Sequence, residues 1–99
     1  MRYTLRLYIA GKAEASMTAL ASIQEICEQK LQGQYDLEVI DVLQRPECAE
    51  RDRILATPTL IRRLPPPLRK IIGSLSEREK VLIALDLVEN EASQGGQDE

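Results

Sequence analysis

The side chains in this sequence that could do redox chemistry are two cysteines, Cys27 and Cys48. Thiol–disulfide enzymes need a low-pKa cysteine, usually in a loop that follows the first strand and opens a helix. The matching loop, residues 10–16, reads AGKAEAS and holds no such nucleophile. We interpret Cys27 as a buried hydrophobe on a helix, and we expect Cys48 to be exposed on a short helix. A thiol-dependent redox protein that uses either residue is kept as the alternative class of function.

Other catalytic chemistry has few candidates. The sequence has no His, which removes the commonest general base and the commonest transition-metal ligand. Two separated Cys cannot complete a four-ligand zinc site, and there is no Gly-rich phosphate loop. Asp41 is the one carboxylate whose buried strand could perturb its pKa, and we favour a structural role for it. We therefore expect a protein that is not an enzyme and that binds no metal or cofactor.

A cluster of basic residues surrounds a run of prolines. Its members, with one more Arg nearby, are Arg62 and Arg63 before Pro65, Pro66 and Pro67, then Arg69 and Lys70 after them, and Arg53. The cluster is either an ordinary solvated surface or a docking site, where Arg forks suit the carboxylates of a partner. A net charge of −3 and only three aromatic residues, all Tyr, make nucleic acid the weaker alternative.

The N-terminal segment MRYTLRLYIAG interleaves Arg2 and Arg6 with apolar residues, so it lacks the continuous apolar core of a signal peptide. No apolar run approaches the length that a membrane span needs. We expect a cytoplasmic protein without membrane contact, whose cysteines stay reduced.

The first half of the chain has the periodicity of a strand, a helix and a second strand. Apolar residues alternate from Tyr3 to Ile9, which predicts a strand with one face in the core. A helical stripe of apolar residues runs from about Ser16 to near Gly33, and alternation resumes over 35–43. Two strands joined through a helix predict a right-handed βαβ unit with parallel strands.

The second half is predicted to add a helix, two strands and a final helix. The expected ranges are a short helix from Pro46 to about Arg53, an extended run 54–64 interrupted by Pro58, another over 68–72, and a helix from Ser76 to about Glu91. Ser76 and Glu79 have capping-box spacing. We expect one domain over residues 1–91, followed by a disordered tail, 92–99.

The resulting order, βαβαββα, predicts an α/β, thioredoxin-like fold. The proline before the third strand of that fold is usually cis, and Pro58 stands at this position.

Five segments also give the chain a clear family resemblance. They are LRLYIAG (5–11), VIDVL (39–43), ILATPTL (54–60), LPPPLRKIIG (64–73) and SEREKVLIALDL (76–87). In this order and spacing the chain resembles the KaiB family of circadian-clock proteins over residues 3 to 88.

The resemblance implies a non-enzymatic timing regulator. It would bind the N-terminal ATPase ring of a KaiC-type protein in a particular phosphorylation phase, recruit KaiA and displace a histidine kinase with a KaiB-like domain. The basic residues 53, 62, 63, 69 and 70 are then expected at the KaiC contact. The alternative within the family is a timer or stress response without KaiA. Glu38 and Thr18, where Lys and Arg are common, weaken the inference to KaiA binding.

The resemblance further implies a metamorphic protein. The family has a second state, βαββααβ, that assembles into tetramers, so self-association as a tetramer or dimer is expected. The switch is expected to involve Pro58, residues 65–67, Gly73, Ala84 and Asp86. Ala84 stands where the family commonly has Gly, and Ala is favoured by about 1 kcal/mol inside a helix. This change should favour the thioredoxin-like state.

Overall fold

The computed structural model describes residues 2–73, 75 and 77–87. Its elements are β1 (Tyr3–Ile9), α1 (Glu14–Ile26) continued by a π-helical turn (Cys27–Leu31), β2 (Tyr35–Asp41), α2 (Pro46–Arg51), β3 (Thr59–Leu64), β4 (Arg69–Ile72) and α3 (Arg78–Ala84). This is the predicted order, βαβαββα. The expected tail and residues 88–91 lie outside the described residues, so the predicted domain boundary stays a prediction.

The four strands form one sheet in the order β2-β1-β3-β4. Strand β1 runs parallel to β2, as the predicted βαβ unit requires, and antiparallel to β3, which in turn is antiparallel to β4. Strands β2 and β4 therefore form the two edges of the sheet.

Helices cover both faces of the sheet. On one face α1 and α3 pack over an aliphatic cluster that includes Leu5, Leu7, Ile23 and Leu60. On the other face a smaller cluster of Tyr8, Ile40, Cys48 and Ile61 lies under α2. Tyr8 is completely buried. The alternating pattern predicts one core face for β1 with Tyr8 on the opposite side, because the sequence does not show that α2 covers part of that side.

The loop after β1 is held by Asp41. Strand β2 ends at this residue rather than at Leu43, whose side chain is 71% exposed. The Asp41 carboxylate accepts hydrogen bonds from the Gly11 and Leu43 amides at 3.0 and 2.9 Å. These contacts support the structural role that we favoured for Asp41.

Helix α3 is shorter than the predicted range. Ser76 lies outside the described residues, and no side-chain hydrogen bond caps the helix at Glu77. At the other end the Leu87 amide donates to the Leu82 carbonyl at 2.7 Å and the Asp86 amide donates to the Ile83 carbonyl at 3.0 Å. With Asp86 at φ 62°, this is a Schellman motif. The prediction of a helix is therefore wrong for residues 85–87, and residues 88–91 lie outside the described residues.

The segment before β3 is irregular rather than extended. Strand β3 starts only at Thr59, so the prediction of a strand from Ile54 is wrong for its first five residues. The Thr57–Pro58 peptide bond is cis, as expected from its position, and the Leu64–Pro65 and Pro66–Pro67 bonds are cis as well.

Candidate partner-binding surface

The predicted basic cluster is divided between the two faces of the sheet. Arg62 and Arg69 are paired in register on β3 and β4 and lie on the α3 side. Because successive strand residues point to opposite faces, Arg63 and Lys70 lie on the α2 side. The basic residues of the two strands therefore form two small groups, one on each face of the sheet, rather than one surface.

Arg62 is a buried structural residue. Its side chain is 1% exposed, and its Nη1 donates to the Leu85 carbonyl at 3.1 Å and to Asp86 Oδ2 at 2.9 Å. Its Nη2 donates to the Pro67 carbonyl at 3.0 Å, whereas Nε is buried without a partner among the described residues. The prediction that Arg62 contributes to a docking surface is wrong for this fold, because its guanidinium is already enclosed.

Asp86 closes the C-terminal end of α3 through the same contact. The hydrogen bond from Arg62 lowers the pKa of this carboxyl, and the charge of nearby Arg69 acts in the same direction. Asp86 thus joins the turn after α3 to the β3–β4 hairpin. Whether Asp86, Gly73 or the prolines take part in a fold switch stays a prediction.

Three of the predicted residues gather on the α2 side of the sheet. Arg53, Arg63 and Lys70 are all exposed. The Lys70 Nζ donates to the Asp52 main-chain oxygen at 2.9 Å, which places Lys70 beside the residue that precedes Arg53. Within the described ranges, no ion pair joins Arg53 or Arg63 to another residue. Their guanidinium groups are available to a partner.

Asp52 lies under this group and was not among the predicted site residues. Its Oδ2 accepts hydrogen bonds from Arg6 Nη1 at 2.9 Å and from the Tyr8 hydroxyl at 2.6 Å. Burial disfavours its charge, but the bonds from Tyr8 and Arg6, together with the charges of Arg6 and Arg63, lower the pKa of Asp52. Burial, followed by the bond to Asp52, raises the pKa of Tyr8 to about 12. In the sequence Asp52 stands among Glu50, Arg51 and Arg53, which resembles a solvated helix face.

Neither cysteine has the environment of a reactive thiol. Cys27 is fully buried, as predicted, and burial raises its pKa to about 11. Cys48 is only 4% exposed, so the prediction of an exposed Cys48 is wrong. It belongs to α2 and packs against Tyr8 and Ile61 of the sheet, because the thin apolar side of that helix is turned onto the sheet. The raised pKa disfavours a nucleophilic thiolate at Cys27, and burial limits access to Cys48, so the redox alternative loses support.

Residues 2–73, 75 and 77–87 hold neither a metal site nor a membrane-spanning helix. In these ranges no group of His, Cys, Asp and Glu side chains could hold a metal ion. No helix there is sufficiently long and apolar to cross a membrane.

The surface around Asp52 lies inside a segment that matches a known family. The family model described as the KaiB domain matches residues 6–87. The chain belongs to the KaiB family. The circadian clock oscillator protein KaiB of Trichodesmium erythraeum is 59% identical over 92 residues, which cover 93% of this chain and 88% of that protein. KaiB1 of a Synechocystis species is 60% identical over 89 residues, covering 90% and 85%. This chain therefore belongs to a family of clock regulators.

Solved structures confirm the fold of this KaiB-family chain. The N-terminal domain of Synechococcus elongatus SasA has a TM-score of 0.70 at 20% identity, covering 92% of this chain and 90% of that one. The thioredoxin Deadhead of Drosophila melanogaster has a TM-score of 0.69 at 18% identity, covering 88% and 82%. At these identities the likeness concerns the fold alone, and it confirms the predicted thioredoxin-like class.

Proposed function

We propose that this chain is a non-enzymatic timing regulator that binds the N-terminal ATPase ring of a KaiC-type protein, in a way that depends on the phosphorylation state of that protein. Family membership over residues 6–87 supports a clock role. The observation that carries the docking site is the exposed group of Arg53, Arg63 and Lys70 on the α2 side of the sheet. Arg forks pair bidentately with carboxylates, so the group suits an acidic partner surface.

Arg69 is a second, separate part of this proposal. It is exposed on edge strand β4, on the face opposite Lys70, and contributes to the field around Asp86. A partner that covers the β4 edge would meet Lys70 on one side and Arg69 on the other. Arg62 is not included.

The proposal is tested by measuring the binding of the purified chain to a cognate KaiC-type ring. Size-exclusion chromatography with light scattering and biolayer interferometry both measure this binding. Arg53→Ala, Arg63→Ala and Lys70→Ala are each expected to weaken binding by about five- to fiftyfold, because the contacts join opposite charges. Lys12→Ala, an exposed cation in the loop after β1, is the matched control and should bind like wild type.

Phosphorylation dependence is tested with rings that carry phosphomimetic or non-phosphorylatable residues. Binding to only one of these forms would support the proposal. A wild-type chain that binds neither form would contradict the proposal. Equal losses of binding in Lys12→Ala and Lys70→Ala would contradict the assignment of the basic group as the docking site.

The same proposal includes two further steps. The ring-bound chain recruits KaiA and displaces a histidine kinase that has a KaiB-like domain. A kinase domain with a KaiB-like fold could occupy the same site on the ring as this chain, and the thioredoxin-like fold of the chain suits such competition. Competition is tested by adding the chain to a preformed complex of ring and kinase.

One observation favours the alternative of a timer or stress response without KaiA. Glu38 gives edge strand β2 an acidic residue, held by Arg6 at 3.1 Å and by Arg45 at 3.8 Å. A KaiA surface with acidic groups that pair with a basic strand would be repelled by the Glu38 carboxylate. Binding of KaiA to the ring complex, compared for wild type and Glu38→Lys, separates the two possibilities.

A further inference from the structure

Asp52 lies where three elements of the fold meet. Its carboxylate accepts hydrogen bonds from Arg6 and Tyr8 of β1, at 2.9 and 2.6 Å. Its main-chain oxygen accepts one from Lys70 of β4 at 2.9 Å, and its own amide donates to the Cys48 carbonyl of α2 at 3.1 Å. The side chain is only 15% exposed. One residue thus ties α2 to two strands that are not neighbours in the sequence.

The geometry after Asp52 fixes the backbone of Arg53. The Ile54 amide donates to the Ala49 carbonyl at 2.8 Å and the Arg53 amide donates to the Glu50 carbonyl at 3.1 Å. Arg53 has φ 56°, so α2 ends in a Schellman motif in which Arg53 occupies the left-handed position. An Arg is unusual there, because left-handed backbone favours Gly or Asn. The fold therefore directs a charged side chain outward from a rigid helix end.

We propose that Asp52 is the positioning residue of the basic docking surface. It holds Arg53 and Lys70, with Arg63 nearby, at a fixed spacing that suits a carboxylate-bearing partner. This inference rests on the proposed function, because it assumes that the same surface binds the ring.

The negative charge of Asp52 also stabilises the basic surface. Arg6 and Arg63 would repel each other on a bare sheet face, and the Asp52 carboxylate, which interacts with both charges, offsets that repulsion. Arg63 is close enough for its charge to contribute to the lowered pKa of Asp52. Because Asp52 is largely covered, it does not compete with the partner for Arg53, and the Lys70 ammonium keeps two further donors for a ligand.

A docking surface that Asp52 preorganises should bind the ring with higher affinity. Long basic side chains lose rotamer freedom when they bind, and a surface that is already ordered loses less. Without the Asp52 carboxylate the same cations remain exposed, but α2 is less firmly tied to the sheet and their spacing is no longer fixed. Positioning can therefore be distinguished from simple attraction by asking whether Asp52 and Arg53 act as one unit.

The experiment is a double-mutant cycle for binding to the KaiC-type ring, with Asp52→Asn, Arg53→Ala and the double variant. We expect each single change to weaken binding about tenfold and the double variant to be no more than about twofold weaker than either, because coupled residues are not additive. Asp36→Asn is the matched control. It removes a carboxylate bonded to Arg2 at 2.8 Å on the same sheet, and should leave binding unchanged.

Tyr8→Phe supplies a second route if Asp52→Asn does not fold. It removes the 2.6 Å bond to Asp52 but keeps the carboxylate, and should likewise be non-additive with Arg53→Ala. If wild type binds and the effects in both cycles are additive, the inference is overturned while the proposed function stands. A wild-type chain that does not bind the ring overturns both.

Discussion

Asp52 and Tyr8 illustrate how a half-buried carboxylate is kept charged. Asp52 loses much of its water, which disfavours ionisation, yet two donors at 2.6 and 2.9 Å lower its pKa. A carboxyl whose folded pKa is lowered adds stability above its unfolded pKa of about 3.9, and this stability is lost as the pH falls through the folded value. Tyr8, with its pKa raised to about 12, behaves in the opposite way. Its contribution is present below about pH 10 and is lost as the pH rises through about 12.

Asp52→Asn should therefore be most destabilising near neutral pH. We expect the free energy of unfolding to fall by about 2 kcal/mol at pH 7, since charged hydrogen bonds are lost, and the difference from wild type to shrink below about pH 4. Denaturant unfolding between pH 2 and pH 7 measures this. Asp36→Asn, an exposed carboxylate, is the control with a smaller effect. A difference that is independent of pH would contradict this account of Asp52.

The buried cysteines should be almost unreactive in the native protein. With a pKa of about 11, about one Cys27 thiol in a thousand is ionised at pH 8. Ellman's reagent should therefore modify the native chain slowly and both thiols quickly in guanidinium chloride. Rapid labelling of the native protein would restore the redox alternative, as would loss of ring binding in a folded Cys27→Ser, Cys48→Ser double variant.

At the scale of the elements, tertiary contacts decide where α3 ends. The apolar spacing continues beyond Leu85, but Arg62 of β3 binds the Leu85 carbonyl and the Asp86 carboxylate, and the Tyr3 hydroxyl donates to the same carbonyl at 3.1 Å. These bonds satisfy groups that a longer helix would use internally. Leu87 then packs against the core cluster that contains Leu82. The helix end is thus attached to β1 and β3 at once.

Arg62→Met tests this attachment. The variant keeps the apolar stem but removes the donors to Leu85, Asp86 and Pro67, and we expect the free energy of unfolding to fall by about 2 to 3 kcal/mol. Arg69→Met is the matched control, because Arg69 is the register partner of Arg62 on β4 but is exposed. Thermal and urea unfolding measure both. Equal stability of the two variants would show that the buried guanidinium adds little.

At the scale of the whole molecule, we expect a balance between the thioredoxin-like fold and a second state, and Ala84 is predicted to influence it. Ala84 was expected inside the last helix, but it is the final residue of α3. The advantage of Ala over Gly of about 1 kcal/mol applies to helix interiors, so its effect here should be smaller. Ala84 alone is then a weak determinant of the state.

If the chain has the second, tetrameric state that the family resemblance implies, Ala84→Gly should shift the population towards that state by less than about fivefold, the factor that corresponds to about 1 kcal/mol. Size-exclusion with light scattering over a range of concentrations measures the shift. A large shift would mean that Ala84 acts through more than helix propensity, and a shift towards monomer would contradict the proposed direction.

The sequence by itself determined the element order, the parallel βαβ unit, the buried Cys27 and the family. These depend on periodicity and on motifs that are local in the chain. Only the tertiary structure decided that Arg62 is buried while Arg63 is exposed, because that depends on which side of β3 faces α3. It likewise decided that Cys48 and Tyr8 are covered and that Asp52 joins three elements. Each of these follows from packing between segments that are far apart in sequence, which no local pattern encodes.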